Sequence, residues 1–210
     1  MKGDERNEKW GVFLLTGVPA VGKTTVASKL GQLIQPLEVI SFGNLILNER
    51  SAGGDSVSHS ELRRHPTREA TMNTIEKSTE VLCSKLNELR EHTNVIIDSH
   101  AIAKDSYGFR ASPDSIASLT KFDLSAIFVL HAKYDEIRRR LESQNEGRRH
   151  VSAEEISTYE RLQDSVAISY GVATGTPVFF VNAQDVEQVA ADLIAIMDSL
   201  KVCYSRTTCE

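Results

Sequence analysis

The sequence predicts a three-layer α/β/α fold in which a five-stranded parallel sheet lies between two layers of helices. Three observations support it: short apolar runs, segments with apolar residues at helical spacing, and alternation of the two along the chain. Parallel neighbouring strands need a crossover that covers the sheet, and the intervening helices provide it. With 210 residues, the chain is long enough to bury a complete core around one sheet.

Five apolar runs are predicted to be the strands of this sheet. They are residues 11–16, 37–42, 94–98, 124–130 and 178–181. Nearly every position in them is apolar, as expected for strands that are covered by helices on both faces.

Helices are predicted between these strands. The segments are residues 23–34, 44–50, 67–91 and 185–200, of which 44–50 has the weakest pattern. Two polar segments, 51–65 and 142–151, interrupt the alternation. Long polar insertions in a compact domain are often binding loops or lids, although a solvated surface loop is the alternative.

Composition limits the class of protein. The formal net charge of -5 argues against wrapping nucleic acid or lying on an anionic membrane, so neither is expected as a partner. Cys83, Cys203 and Cys209 lack metal-ligand spacing, and the polar N-terminus has no secretory pattern, so a reducing, cytoplasmic location is expected. We expect a flexible N-terminus at 1–10, one domain at 11–202 and a tail at 203–210.

Residues 17–24 match the phosphate-binding pattern G-x-x-x-x-G-K-[ST] in full. The glycines let the backbone bring its N–H groups against phosphate oxygens. Lys23 supplies a charge for the β- and γ-phosphates, Thr24 offers a hydroxyl to Mg²⁺, and the following helix adds its positive end. We assign ATP binding to Gly17, Val18, Pro19, Ala20, Val21, Gly22, Lys23, Thr24 and Thr25.

Asp98 ends the third predicted strand, where a carboxylate can reach magnesium directly or through water. Aspartates at strand ends are also common caps. Together with the phosphate-binding loop, the pattern favours Thr24 and Asp98 as the residues that hold Mg²⁺, the cofactor expected to enter with ATP.

Phosphoryl transfer requires cations around the transferring group, and the chain has several arginines for this role. We predict that Lys23, Arg140, Arg161 and one or both of Arg148 and Arg149 stabilise the migrating charge. A solvated helix face is the alternative for the run 138–140. Arg148 and Arg149 lie in the predicted lid loop, and which of the two is the clamp stays open.

The chain resembles the adenylate kinases of archaeal type from about residue 12 to residue 200. Its phosphate loop LTGVPAVGKTT is similar to that family's loop. The segments ISFGN, SELRRHP, IIDSHAIAK and SYGVATGTPVFFVN follow in the family's order and spacing.

This resemblance implies a fold like that of P-loop nucleoside monophosphate kinases, with a monophosphate-binding insertion at about 44–70 and a lid at about 143–151. It implies transfer of the ATP γ-phosphate to a nucleoside monophosphate, with AMP as first candidate. The implied acceptor-binding residues are Phe42, Gly43, Arg63, His100 and Lys104, and Arg63 falls on the position that holds the AMP phosphate. A homo-oligomer is also suggested, with a trimer as its form, and this expectation comes from the resemblance only.

One segment departs from the family pattern. Residues 108–113 read Gly-Phe-Arg-Ala-Ser-Pro, where the family runs Gly-Tyr-Leu-Pro-Gly-Leu-Pro. Two alternatives therefore stay open: a P-loop kinase for another nucleotide or small metabolite, and a nucleotide-sensing regulatory ATPase subunit. A panel of acceptors distinguishes them.

Overall fold

The computed structural model describes residues 10–55, 57–105, 108–111, 116–143, 152–200, 202 and 205–206. Strands and helices alternate along this part of the chain. In chain order they are β1 (Val12–Gly17), α1 (Lys23–Leu33), β2 (Ile34–Gln35), β3 (Leu37–Ser41), α2 (Phe42–Ala52), α3 (His59–Arg64), α4 (Pro66–Glu69), α5 (Met72–Leu89), β4 (Asn94–Asp98), β5 (Ile102–Asp105), β6 (Gly108–Ala111), α6 (Ile116–Phe122), β7 (Ala126–His131), α7 (Tyr134–Ser143), α8 (Ala153–Thr174), β8 (Val178–Asn182), α9 (Val186–Ser199) and β9 (Ser205–Arg206).

A five-stranded parallel sheet has the order β3-β4-β1-β7-β8, which confirms the predicted sheet. The five predicted strands agree with the observed ones to within two residues at each end. In the central strand β1, Leu15 is level with Asp98 of β4, and Gly17 is level with Leu130 of β7. The chain passes from one side of β1 to the other between β4 and β7, and ligands of such sheets bind beyond the carboxyl ends of the strands at this point.

Helices cover both faces of the sheet, and this is why β1 is buried along its whole length. Phe13 and Leu15 pack in a cluster with residues of α1 and α9, whereas Val12 and Leu14 pack in a second cluster with residues of α5. Burying both faces of a strand in this way gives the three-layer arrangement that the sequence predicts. In the described part of the chain, no helix has the length and apolarity needed to cross a membrane.

The structure corrects the single helix predicted at 67–91. The chain instead forms α4, turns at Ala70 and starts α5 at Met72. Thr71 causes the break, because it has extended backbone geometry and its side chain accepts a hydrogen bond from the N–H of Thr74, as an N-cap does.

Several short elements were not predicted, and two of them contribute to the cleft. The polar segment 51–65 contains α3, which begins with a capping box between Ser58 and Glu61. After the third strand of the sheet, β5 and β6 form an antiparallel hairpin in which Ala103 lies opposite Arg110. This hairpin includes part of the segment 108–113 that departs from the family pattern.

Gly171 lets α8 approach β8 closely. A Cβ at this position would lie 2.5 Å from Cγ2 of Val178 and 2.8 Å from the carbonyl oxygen of Thr176. We expect Gly171→Ala to lower the free energy of unfolding by about 1–3 kcal/mol, measured by urea denaturation.

Gly31→Ala in α1 is the matched control for this prediction. Among the described residues, no atom would lie within 4 Å of a Cβ at Gly31. This substitution should therefore raise the free energy of unfolding, by up to about 1 kcal/mol, because alanine favours a helix over glycine. Equal changes for the two variants would contradict the close packing at Gly171.

Candidate active site

A cleft of about 1360 Å³ lies at the carboxyl ends of β1, β3 and β4. One part of its wall comes from the loop after β1 and from the start of α1. Further lining residues come from the end of β4, from α2, α3 and α4, from the β5–β6 hairpin, and from α7 and α8. Of the predicted ATP-binding residues, Val18, Pro19, Ala20, Val21, Gly22, Lys23, Thr24 and Thr25 line it.

The loop between β1 and α1 has the backbone geometry that phosphate binding needs. Gly17 has φ +151°, and a Cβ there would lie 2.7 Å from the carbonyl oxygen of Leu130. Gly22 has φ +113° and is the N-cap of α1. No side chain of the described residues caps this helix, so its first N–H groups are available to an anionic ligand.

Lys23 is buried at 6% exposure and folds back over this loop. Its Nζ donates hydrogen bonds to the carbonyl oxygens of Gly17 at 3.0 Å and Val18 at 3.4 Å. It also lies 3.2 Å from Nδ1 of His100, which is 3.1 Å from the Gly17 oxygen, so that ring either accepts from Lys23 or donates to Gly17 according to its tautomer. Lys23 is thereby placed beside the loop amides.

Thr24 and Asp98 come together although they are far apart in sequence. The Thr24 hydroxyl donates to Oδ2 of Asp98 at 3.1 Å. One hydroxyl and one carboxylate fit Mg²⁺, which prefers oxygen ligands and usually takes only one or two from protein, with the rest from phosphates and water. The residue types therefore suit the magnesium site predicted from the sequence.

Arg140 supports the loop from α7 and lines the cleft. Its Nη1 donates to the carbonyl oxygen of Val21 at 2.5 Å and of Ala20 at 3.3 Å, and its Nε donates to Glu136 at 2.7 Å. Hydrogen bonds from Arg139 lower the pKa of Glu136, with a smaller effect of the Arg140 charge, so this carboxylate stays ionised. Within the run 138–140, Arg140 faces the cleft, whereas Arg139 forms an exposed pair with Glu136.

Four of the five predicted acceptor-binding residues also line the cleft: Phe42, Gly43, His100 and Lys104. Phe42 is buried at the start of α2, directly after the Ser41 cap. Lys104 forms an ion pair with Glu155 near the start of α8, and its Nζ lies 5.9 Å from the ring centroid of Phe109. An acceptor phosphate would therefore have to compete with Glu155 for Lys104.

The other predicted arginines are less well placed or lie outside the described part. Arg63 is on α3, but its side chain is outside the described part of the structure. Arg148, Arg149 and the lid segment from 144 to 151 also lie outside it. Arg161 is exposed on α8 and does not line the cleft.

The cleft lining also includes residues that the sequence analysis did not assign, among them Arg64, Arg110 and Tyr159. Arg64, next to Arg63, lines it from α3, and Arg110 lines it from β6. Tyr159 of α8 donates its hydroxyl to the carbonyl oxygen of Ile102 at 2.7 Å, and burial raises the pKa of Tyr159 well above its usual range. This tyrosine stays protonated and fastens the hairpin to α8.

Comparison with known proteins gives three findings. The sequence model of the AAA domain family matches residues 16–157. Curated relatives include archaeal adenylate kinases, and the one from Methanocaldococcus jannaschii is 24% identical over 193 residues, which are 89% of this chain and 97% of that protein.

Solved structures with the same fold include kinases of other substrates. A thymidylate kinase from Candida albicans has a TM-score of 0.56 at 13% identity, covering 95% of this chain and 99% of its own. A sugar kinase from a Janibacter strain has a TM-score of 0.55 at 13% identity, covering 90% of this chain and 95% of its own. At this identity the likeness concerns the nucleoside monophosphate kinase-like fold and leaves the acceptor open.

Proposed function

This chain belongs to the AAA domain family, in the adenylate kinase type of P-loop nucleotide kinases, and we propose that it transfers the γ-phosphoryl group of ATP to a nucleoside monophosphate. AMP is the first candidate acceptor, because the curated relatives include adenylate kinases over nearly the whole chain. The observation that supports the proposal most is that one cleft is lined by Lys23, by the hydrogen-bonded pair Thr24 and Asp98, and by several arginines.

On the donor side, the loop N–H groups and Lys23 would bind the β- and γ-phosphates of ATP. Lys23 gives up its bonds to Gly17 and Val18 when phosphate oxygens replace them. Thr24 and Asp98 would hold Mg²⁺, which neutralises charge on the phosphate oxygens when bound. Arg140, which donates to the loop carbonyls of Ala20 and Val21, would hold the loop in shape for the phosphates.

On the acceptor side, an oxygen of the monophosphate attacks the γ-phosphorus, and the bond from that phosphorus to the β-phosphate oxygen breaks. The acceptor phosphate is already ionised at neutral pH, so it needs no general base. Catalysis is then mainly positioning and charge stabilisation. Arg63 would hold the acceptor phosphate, with Phe42, Gly43, His100 and Lys104 around it.

Closure over both substrates is the remaining part of the proposal. We assign the monophosphate-binding insertion to about 44–70 and the lid to about 143–151. Arg140 and either Arg148 or Arg149 would then stabilise the migrating charge while water is excluded. Arg161 is exposed outside the cleft lining, so it would take part only if closure brings it to the phosphates. The cytoplasm is the proposed location, from the cysteine pattern.

A panel of acceptors tests the proposed function. Purified protein with ATP and Mg²⁺ is given AMP, CMP, UMP, GMP, dTMP or simple sugars, and ADP formation is measured. Turnover that depends on a nucleoside monophosphate supports the proposal. Turnover that depends only on a sugar, or slow hydrolysis that no acceptor changes, would contradict it and favour a metabolite kinase or a regulatory ATPase respectively.

Arg63 and its neighbour Arg64 provide a prediction about the acceptor phosphate. We expect Arg63→Ala to raise the acceptor KM by roughly ten- to a hundredfold, because a bond between charged groups is lost, and to leave the ATP KM nearly unchanged. Arg64→Ala should act in the same direction, since Arg64 lines the cleft. Initial rates at varied acceptor and ATP concentrations measure both constants.

Arg68→Ala is the matched control, because Arg68 is 80% exposed on α4 and does not line the cleft. It should leave both KM values unchanged. If Arg63→Ala raised the KM for ATP as much as the KM for the acceptor, Arg63 would belong to the ATP-binding side of the cleft instead.

A further inference from the structure

Two polar side chains are buried together next to the phosphate-binding loop, outside the cleft lining. Gln163 of α8 is 1% exposed, and Thr16 of β1 is 0% exposed. Nε2 of Gln163 donates to Oγ1 of Thr16 at 2.7 Å, across 147 residues of sequence. Neither residue lines the cleft, and the proposed reaction gives neither a role. Glutamine is mostly found at the surface, so a fully buried one calls for a physical explanation.

The position of Gln163 on α8 would suit an apolar side chain. It lies on the buried face of the helix, one turn after Tyr159 and one turn before Ala167, which belong to the two apolar clusters of the core. Oε1 of Gln163 is buried and has no hydrogen-bond partner among the described residues. An unpaired buried oxygen lowers the stability of the fold. An amide that is unfavourable for packing at such a position indicates a role in function.

Thr16 connects this amide to the segment that follows β4. Its Oγ1 also accepts a hydrogen bond from the N–H of Ala101 at 3.2 Å. Together with the bond from the amide, this uses both lone pairs of the hydroxyl oxygen and holds the Thr16 side chain in place. The N–H of Ser99 donates to the carbonyl oxygen of Leu15 at 3.1 Å. The segment is therefore fastened to β1 on both sides of His100.

The groups fixed in this way are two of those that contact Lys23. Gly17, whose carbonyl oxygen accepts from Nζ of Lys23 at 3.0 Å, directly follows Thr16 in the chain. His100, whose Nδ1 lies 3.2 Å from the same Nζ, directly precedes Ala101. One hydrogen-bonded path thus connects α8 with both contacts of the ammonium. Its placement matters because charge stabilisation depends on the distance between the ammonium and the phosphate oxygens.

We propose that Gln163 is a positioning residue that fixes the Lys23 ammonium through the hydroxyl of Thr16. It touches neither substrate, and its effect on the reaction passes through Lys23. The charge of Lys23 is stabilising chiefly in the transition state, so loss of this support should lower kcat more than it raises either KM. The inference rests on the proposed function, since it assumes that Lys23 acts on a transferring phosphoryl group.

Gln163→Met tests the inference, because methionine has a similar length and is apolar. The assay uses ATP and the nucleoside monophosphate with the highest kcat/KM in the acceptor panel. We expect kcat to fall about three- to tenfold, as for the loss of one hydrogen bond, with little change in either KM. The midpoint of urea denaturation should stay the same or rise, because the variant no longer buries an unpaired oxygen. A purely structural residue would lose activity only together with stability.

Ser78→Ala is the matched control for this combination. Ser78 of α5 is 0% exposed, its Oγ has no hydrogen-bond partner among the described residues, and it does not line the cleft. The substitution also removes a buried unpaired oxygen, but at a position that has no path to the loop. It should keep the wild-type kcat, with a denaturation midpoint that stays the same or rises.

Two substitutions of Thr16 examine the same path from its other end. Thr16→Ser keeps the hydroxyl and should keep nearly the wild-type kcat. Thr16→Val keeps the shape without the hydroxyl, so it should lower kcat at least as much as Gln163→Met does. If Gln163→Met does not fold, as shown by circular dichroism, the comparison of these two variants decides the question, and equal kcat values for them would overturn the inference.

A double-mutant cycle with Lys23→Met shows whether the path ends at Lys23. In the Lys23→Met protein, Gln163→Met should change kcat by less than about twofold, because the group that it positions is already absent. Effects that multiply in the double variant would overturn the inference, since Gln163 would then act independently of Lys23. An unchanged kcat in a folded Gln163→Met protein would overturn it too, as would a loss of activity that parallels a lower denaturation midpoint.

These results are distinct from a failure of the proposed function. Each of them leaves the proposed kinase activity standing, because each is measured against transfer by the wild-type protein. The absence of wild-type transfer to every nucleoside monophosphate would overturn the proposed function, and this inference with it.

Discussion

Replacing Lys23 with methionine is expected to lower kcat for phosphoryl transfer by about a hundred- to a thousandfold. The Lys23 ammonium donates hydrogen bonds to the carbonyl oxygens of Gly17 and Val18 in the phosphate-binding loop. From this position it can reach the β- and γ-phosphates of ATP bound to the loop. Its charge would be stabilising chiefly where negative charge develops in the transition state. Methionine keeps the apolar stem, so the effect on packing should be small.

The measurement is the steady-state rate of ADP formation with saturating ATP and acceptor, together with the melting temperature of the variant. Lys29→Met is the matched control. Lys29 is on the same helix α1, where it forms an ion pair with Glu187 at 2.7 Å, and it does not line the cleft. Wild-type turnover in a folded Lys23→Met protein would rule out the assignment of residues 17–24 to ATP phosphates.

Replacing Asp98 with asparagine is expected to lower kcat by about a hundredfold and to raise the Mg²⁺ concentration needed for half-maximal rate. The substitution keeps the shape of the side chain, and an amide oxygen can still accept the hydrogen bond from Thr24. What it removes is the negative charge that favours a divalent cation over water and potassium. The result therefore separates the charge of Asp98 from its place in the fold.

Titrating Mg²⁺ at fixed ATP measures this effect, and a shift in the affinity for ATP with Mg²⁺ by calorimetry gives a second readout without turnover. Asp164→Asn is the matched control, since Asp164 also forms a hydrogen bond, at 2.8 Å with His131, but does not line the cleft. If the Asp98→Asn protein kept the wild-type Mg²⁺ dependence, Asp98 would not hold Mg²⁺, and its role would be to cap the end of its strand.

The sequence alone was sufficient to locate the strands of the sheet and the phosphate-binding loop. A strand covered by helices on both faces must be apolar at successive positions, so segments such as 94–98 can be recognised from a few residues. The loop needs glycines, a lysine and a hydroxyl at fixed local spacing, so its pattern is complete within residues 17–24. The local periodicity predicted one continuous helix across Ala70. In the structure the side chain of Thr71 caps a new helix there, and the predicted helix is divided in two.

Only the tertiary structure decided which charged side chains face the cleft. Among the arginines of the run 138–140, the packing of α7 turns Arg140 to the carbonyl of Val21, 119 residues away in sequence. Lys104 is paired with Glu155, and Arg110 reaches Ala70 across 40 residues through a hairpin that local patterns did not predict. The physical reason is that one residue type suits several roles on a surface. Which role it has depends on partners that folding brings together from distant parts of the chain, and these partners are not encoded in the neighbouring sequence.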